Sequence, residues 1–156
     1  MSDPLAAQLR GACPVPLAIV GVGNPMRGDD GFGPAVLAAL PELPGVSCFD
    51  AGMAPENWLG PIARAEPRCI LVLDAADFGA PPGTLRLARG GELEAVGAST
   101  HGLPLGFFVK LAEDRCGAPA LALLAQPERL ALGDPLSDAM TAAVRRAARV
   151  IVAAIG

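Results

Sequence analysis

The chain is predicted to fold as a single-domain α/β sandwich, with helices covering both faces of a mostly parallel sheet. Three observations predict it. Apolar runs containing β-branched residues recur along the 156 residues and alternate with segments of helical spacing. The runs are near-continuous rather than alternating, as in Ile70-Leu71-Val72-Leu73, which is the pattern of strands buried on both faces. The length suits one domain, residues 1–156, with a substantial core, and is too short for two.

In chain order, residues 1–14 are expected to form a flexible, frayed segment ahead of the first strand. Strands follow at Val15–Val22, Val46–Phe49, Cys69–Leu73, Thr84–Leu87 and Ala120–Leu124. Helical patterns cover Pro34–Leu40, the region around Glu56–Ala63, Leu105–Asp114 and Asp138–Ile155, the last carrying Val144, Ala148 and Ile151 at helical spacing. Thr84–Leu87 follows Asp77–Gly83 with no helix between, so it is expected at a sheet edge or antiparallel to its neighbour.

Composition excludes several function classes. At 52% hydrophobic residues the chain is apolar, yet no stretch reaches the roughly 18 to 20 uninterrupted apolar residues of a membrane span. The start lacks a basic leader followed by an apolar core, so a cytoplasmic location is expected. Net charge is −4 with no basic run, and five Phe and one Trp offer little for base stacking, which argues against nucleic acid as a partner. Cys13, Cys48, Cys69 and Cys116 are widely spaced and form no Cys-x-x-Cys pair; they are expected to be buried, reduced thiols.

The polar residues carry the chemistry. A glycine-rich turn, Gly21-Val22-Gly23-Asn24-Pro25-Met26-Arg27-Gly28, leads from the first strand to two adjacent acids, Asp29 and Asp30. A glycine turn after a strand normally prepares backbone amides for phosphate. Here it delivers negative charge, and the dinucleotide fingerprint fails because Met26 stands where a third small residue is required. Asp50 ends the second strand, Asp74 ends the third, and Ser99-Thr100-His101 lies in the loop after the fourth. These are the carboxyl ends of strands, where α/β sheets place ligands. Asp30, Asp74 and His101, the single histidine, could give two carboxylates and one imidazole to a borderline divalent ion.

Structural readings compete at each position. Asp29 reads as the N-cap of a helix beginning at Gly31. Asp50 could satisfy turn amides, and Asp77 could cap the turn before Gly79. Asp74 closes an apolar run and, if buried, needs a partner. A lone loop histidine is more often structural than catalytic. Other hydrolase chemistries fit less well. One histidine cannot form His-Glu-x-x-His, no serine sits in a Gly-x-Ser-x-Gly elbow, and Cys48 and Cys69 lie in predicted strands.

Taken together, Gly21–Pro34, Leu73-Asp74-Ala75-Ala76-Asp77 and Ser99-Thr100-His101-Gly102-Leu103-Pro104-Leu105 resemble the hydrogenase maturation endopeptidases, which process the large subunit of [NiFe] hydrogenases. The resemblance runs from about Leu17 through the final helix, with Gln126-Pro127-Glu128 matching a late strand end. Gly-Asp-Asp-Gly, Met-Ala-Pro-Glu-Asn and Thr-His-Gly-Leu-Pro look most like the branch serving formate-hydrogenlyase-type hydrogenases; other branches place Glu where this chain has Asp30. The resemblance implies a twisted five-stranded sheet between helices, and metal-contacting, catalytic roles for Asp30, Asp74 and His101. It implies that nickel arrives with the substrate, a nickel-loaded large-subunit precursor whose C-terminal extension is removed. It leaves Asn24 to shape the turn, Asp50 to support the site, and Glu56 and Asn57 to line its rim. A monomer is expected. Two rival classes remain: a non-hydrolytic nickel-binding chaperone using the same residues, and a small-ligand hydrolase or nucleotide-binding protein on a similar sheet.

Overall fold

The computed structural model describes residues 3–94 and 103–156. Its five strands are β1 (Leu17–Val22), β2 (Val46–Gly52), β3 (Cys69–Ala75), β4 (Leu85–Arg89) and β5 (Ala120–Ala125). The helices are α1 (Pro4–Ala12), α2 (Phe32–Ala39), α3 (Leu59–Arg64), α4 (Leu105–Cys116) and α5 (Asp138–Ile155), with short 3-10 turns at Gly28–Gly31, Pro55–Trp58 and Gly90–Leu93. The sheet order is β2-β1-β3-β5-β4, parallel except for β4, which runs antiparallel to β5 at the edge. Without a crossover helix between β3 and β4, the chain could return only antiparallel.

Strand alternation divides the core in two. Leu17, Ile19, Leu71, Leu73, Leu121 and Leu123 face α1, α2 and α5. Ala18, Val20, Val22, Ile70, Val72, Ala122 and Leu124 face α3 and α4. The result is the three-layer sandwich, with β1, β3 and β5 buried on both faces. Among the described residues no helix is long and apolar enough to cross a membrane.

Two expectations are corrected here. The amino-terminal segment is not frayed from residue 4 onward, because α1 buries Leu5, Ala6 and Leu9 against the core that α5 also lines. Asp3 starts the helix by accepting the Leu5 amide (3.0 Å), and Pro4 occupies the first turn, where it gives up no helical hydrogen bond. Arg146 of α5 clamps the same carboxylate through Nε (2.7 Å) and Nη2 (3.0 Å), and Arg10 donates to the Ala153 carbonyl (3.0 Å). Nor are all four cysteines buried. Cys13 and Cys69 are, but Cys116 is only partly covered and Cys48 is exposed. The reason is topological: β2 is an edge strand, and most of its side chains remain at least partly open to solvent.

The Arg146 guanidinium holds the Asp3 carboxyl down at about 2, against an ordinary value of 3.8. A depressed folded-state pKa stabilises the fold above the ordinary value, and that stability is lost as pH falls toward the folded one. Amide protection in α1, taken relative to the intrinsic exchange rate at each pH, is therefore expected to fall between about pH 4 and 2. An Asp3→Ala chain, whose α1 is loosened at neutral pH, should show no such acid step; the same step in that variant would assign it to another group.

Candidate active site

The 3-10 turn Gly28–Gly31 and the start of α2 sit directly on the ends of β1 and β3. Gly33 makes this possible, since a Cβ there would stand 2.5 Å from the Val22 carbonyl oxygen and 2.6 Å from that of Leu73. In the β1–β3 register Gly21 faces Leu73, so Asp74 lies one residue beyond the last pair. Strand β1 is flanked by β2 on one side and β3 on the other, making the β1/β3 boundary the point where successive crossovers diverge. Asp30 and Asp74 both lie there, 2% and 3% exposed. Two carboxylates buried at one end of adjacent strands are costly unless a cation or hydrogen bonds offset their desolvation.

The turn before Asp30 is closed on itself. Gly23 has φ +142° and no room for a side chain, because a Cβ would stand 1.9 Å from the Asp30 carbonyl oxygen. Asn24 donates its amide to Asp30 Oδ2 (2.9 Å), while its own Oδ1 accepts the Met26 amide (2.9 Å), which gives it the turn-shaping place expected from sequence. Every other amide here also has a backbone acceptor: Gly23 gives to Gly52, Arg27 to Asn24, Gly28 to Asp134, Asp29 to Arg129 and Asp30 to Arg27. Pro25 has none to give. The phosphate cradle of a nucleotide-binding turn needs amides pointing outward, and this turn spends its amides internally. That removes the support for the nucleotide-binding rival.

Asp29 has a structural role, but not the one expected. It does not cap its own helix. Its side chain is completely buried and accepts from Ser137 N (2.7 Å), Ser137 Oγ (2.8 Å), Glu128 N (2.8 Å) and Arg129 N (3.2 Å). Burial alone would raise its pKa; these donors outweigh that and hold the carboxyl below its ordinary range. Ser137 in turn caps α5 by accepting the Met140 amide (3.2 Å). One carboxylate thus ties the active-site turn to the segment between β5 and α5. The bonded residues are 108 positions apart, a pairing for which a single sequence holds no local signal.

The β3 exit is fixed by Gln126, which only the motif resemblance had singled out. Its Oε1 accepts the Phe78 and Ala80 amides (2.8 and 3.3 Å), and its Nε2 donates to Asp77 Oδ1 (3.0 Å). Asp77 also accepts the Gly79 amide (3.0 Å), as its turn-capping reading requires, and these bonds, that from Gln126 foremost, lower its pKa. Asp50 is not at the strand end. Because β2 continues to Gly52, Asp50 pairs with Gly21 on the exposed edge, separated from β3 by β1. Glu56 and Asn57 are exposed on the Pro55–Trp58 turn that follows β2. His101 lies outside the described residues, as do Ser99 and Thr100. Among the described residues no three His, Cys, Asp or Glu side chains form a metal cluster. The donor set that can be described is therefore the carboxylate pair Asp30 and Asp74.

Comparison with known proteins is consistent with this geometry. The model of the hydrogenase maturation protease family matches residues 35–154. The chain is 33% identical over 127 residues to the hydrogenase 3 maturation protease of Escherichia coli K12, spanning 79% of this chain and 80% of that one. It superposes on the crystal structure of the [NiFe] hydrogenase maturation protease HycI from Thermococcus kodakarensis with a TM-score of 0.83 and 30% identity, covering 98% and 99% of the two chains. For the hydrogenase maturating endopeptidase HybD of E. coli the TM-score is 0.74 at 26% identity, covering 88% and 90%. With a family model spanning most of its length and a curated relative matched over four-fifths of theirs, the chain belongs to the hydrogenase maturation protease family.

Proposed function

We propose that the chain is an endopeptidase that removes a C-terminal extension from the nickel-loaded precursor of a [NiFe] hydrogenase large subunit, and that Asp30, Asp74 and His101 are its metal-contacting, catalytic residues. The observation that supports this most is the burial of Asp30 and Asp74 together at the β1/β3 boundary of a chain belonging to this family. In this reading the nickel belongs to the substrate. Two carboxylates and one imidazole, with no thiolate, form an open and incomplete set that holds a free ion less tightly than a closed four-ligand site. Recognition is then contingent on metal already held by the precursor.

The chain's own groups supply the rest. The Asn24 amide fixes the orientation of the Asp30 carboxylate, so binding costs little reorganisation. One carboxylate takes the proton of the attacking water and delivers it to the leaving amine, while precursor-borne nickel polarises the scissile carbonyl. Aspartate-type chemistry gated by nickel suits the residues present. The protein acts as a cytoplasmic monomer.

The test is a processing assay on one precursor prepared with and without nickel. Mass spectrometry is expected to show loss of the extension from the nickel-loaded form only. Binding of the loaded precursor without cleavage would turn the reading to a nickel chaperone. Equal cleavage of both forms would end the proposal that the metal gates the reaction.

A further inference from the structure

Five large hydrophobic side chains stand exposed among the described residues: Val15 (43%), Met26 (68%), Met53 (56%), Phe107 (54%) and Leu132 (73%). Isolated exposed apolar side chains are ordinary. Their distribution here is not. Val15 precedes β1, at the amino end of the sheet. Met26 lies in the turn after β1, Met53 directly follows β2, and Leu132 lies between β5 and α5, so all three belong to segments leaving the carboxyl end. Phe107 is in the first turn of α4, which leads through Gly117 into the amino end of β5; the start of that helix is therefore also at the carboxyl end.

Three of the four segments are hydrogen-bonded through the active-site turn. The Gly133 amide donates to the Met26 carbonyl (2.7 Å), placing Leu132 beside Met26, and the Gly23 amide donates to Gly52 (2.9 Å), bringing in the segment that carries Met53. The Leu132 segment is further braced by the buried Asp29 carboxylate. A braced apolar surface loses little conformational entropy on binding, and methionine adapts to a partner's shape.

We infer that Met26, Met53, Phe107 and Leu132 form an apolar rim around the mouth of the site, and that this rim seats an apolar stretch of the precursor polypeptide beside the scissile bond. The inference rests on the endopeptidase reading, under which a polypeptide must lie across this end of the sheet. The exposed charges on these segments are of both signs, Glu56 and Glu128 against Lys110 and Arg129, with Arg27 half-buried beside Met26, so apolar contact rather than net charge selects the seated stretch of the precursor.

The experiment measures the dissociation constant of the nickel-loaded large-subunit precursor for the chain, with cleavage followed separately. The Met26→Ser/Leu132→Ser double variant is expected to weaken binding about tenfold or more, Met53→Ser and Phe107→Ser each by a smaller factor, and Val15→Ser not at all. Unchanged melting curves confirm that the variants are folded, and the two single variants carry the test if the double variant is not. Binding unaffected by the rim substitutions would overturn the inference. A precursor that binds through the rim but is never cleaved would overturn the endopeptidase reading alone. Equal weakening by Val15→Ser would overturn the rim as a localised site.

Discussion

Asp29→Ala is expected to lower the unfolding free energy on the order of 3 to 5 kcal/mol, a large share of a small domain's stability. The substitution leaves three backbone amides, those of Glu128, Arg129 and Ser137, and the Ser137 hydroxyl without their acceptor. Each such bond to a charged acceptor contributes about 1.5 to 3 kcal/mol, and partial rehydration keeps the loss below their sum. Urea unfolding measures it. The pKa of Asp29 is lowered in the fold, so its contribution is complete above the ordinary carboxylate value and declines as pH falls below it. The difference between wild type and Asp29→Ala should accordingly narrow in acid. A loss below about 1 kcal/mol at neutral pH would mean that the clamp is not the element holding the two segments together.

Its neighbour is expected to behave in the opposite way. Asp30→Asn should lower precursor cleavage about a thousandfold or more, some 4 kcal/mol of transition-state stabilisation, without lowering the melting temperature. Asparagine keeps the shape and an oxygen to accept the Asn24 amide, but removes the charge that a cation requires. Relieving a buried carboxylate commonly leaves stability unchanged or raises it. His101→Ala should abolish cleavage in the same manner, with stability changing by about 0.5 kcal/mol or less. Retained cleavage in either variant would remove that residue from the proposed site. Lost cleavage with unchanged stability in Asp30→Asn would separate the two adjacent acids by experiment, Asp29 affecting folding and Asp30 turnover.

The strands were legible because their signal is local. Apolar runs such as Ile70–Leu73 and Ala120–Leu124 must be covered on both faces wherever they lie, so their presence predicts central strands of an α/β sheet. The missing crossover helix before Thr84 likewise announced the antiparallel edge strand. Helix α1 was less legible. Nine residues near a chain end look like a frayed segment until Arg146, far along the sequence, is seen to grip the capping Asp3.

The same division runs through the site. Placing acids at strand ends is a matter of sequence position, and the sequence by itself determined that Asp30 and Asp74 would come to one end of the sheet. It also carries the motifs that the chain shares in resemblance with the hydrogenase maturation endopeptidases. Only the tertiary structure decided that Asp29 reaches across to Ser137, that Gln126 takes up Asp77, that Asp50 faces solvent on an edge strand, and that Met26, Met53, Phe107 and Leu132 stay exposed. The physical reason is that periodicity and turn chemistry act over a few residues. Which donors satisfy a buried carboxylate, and which faces remain uncovered, depends on segments that meet only once the chain has folded.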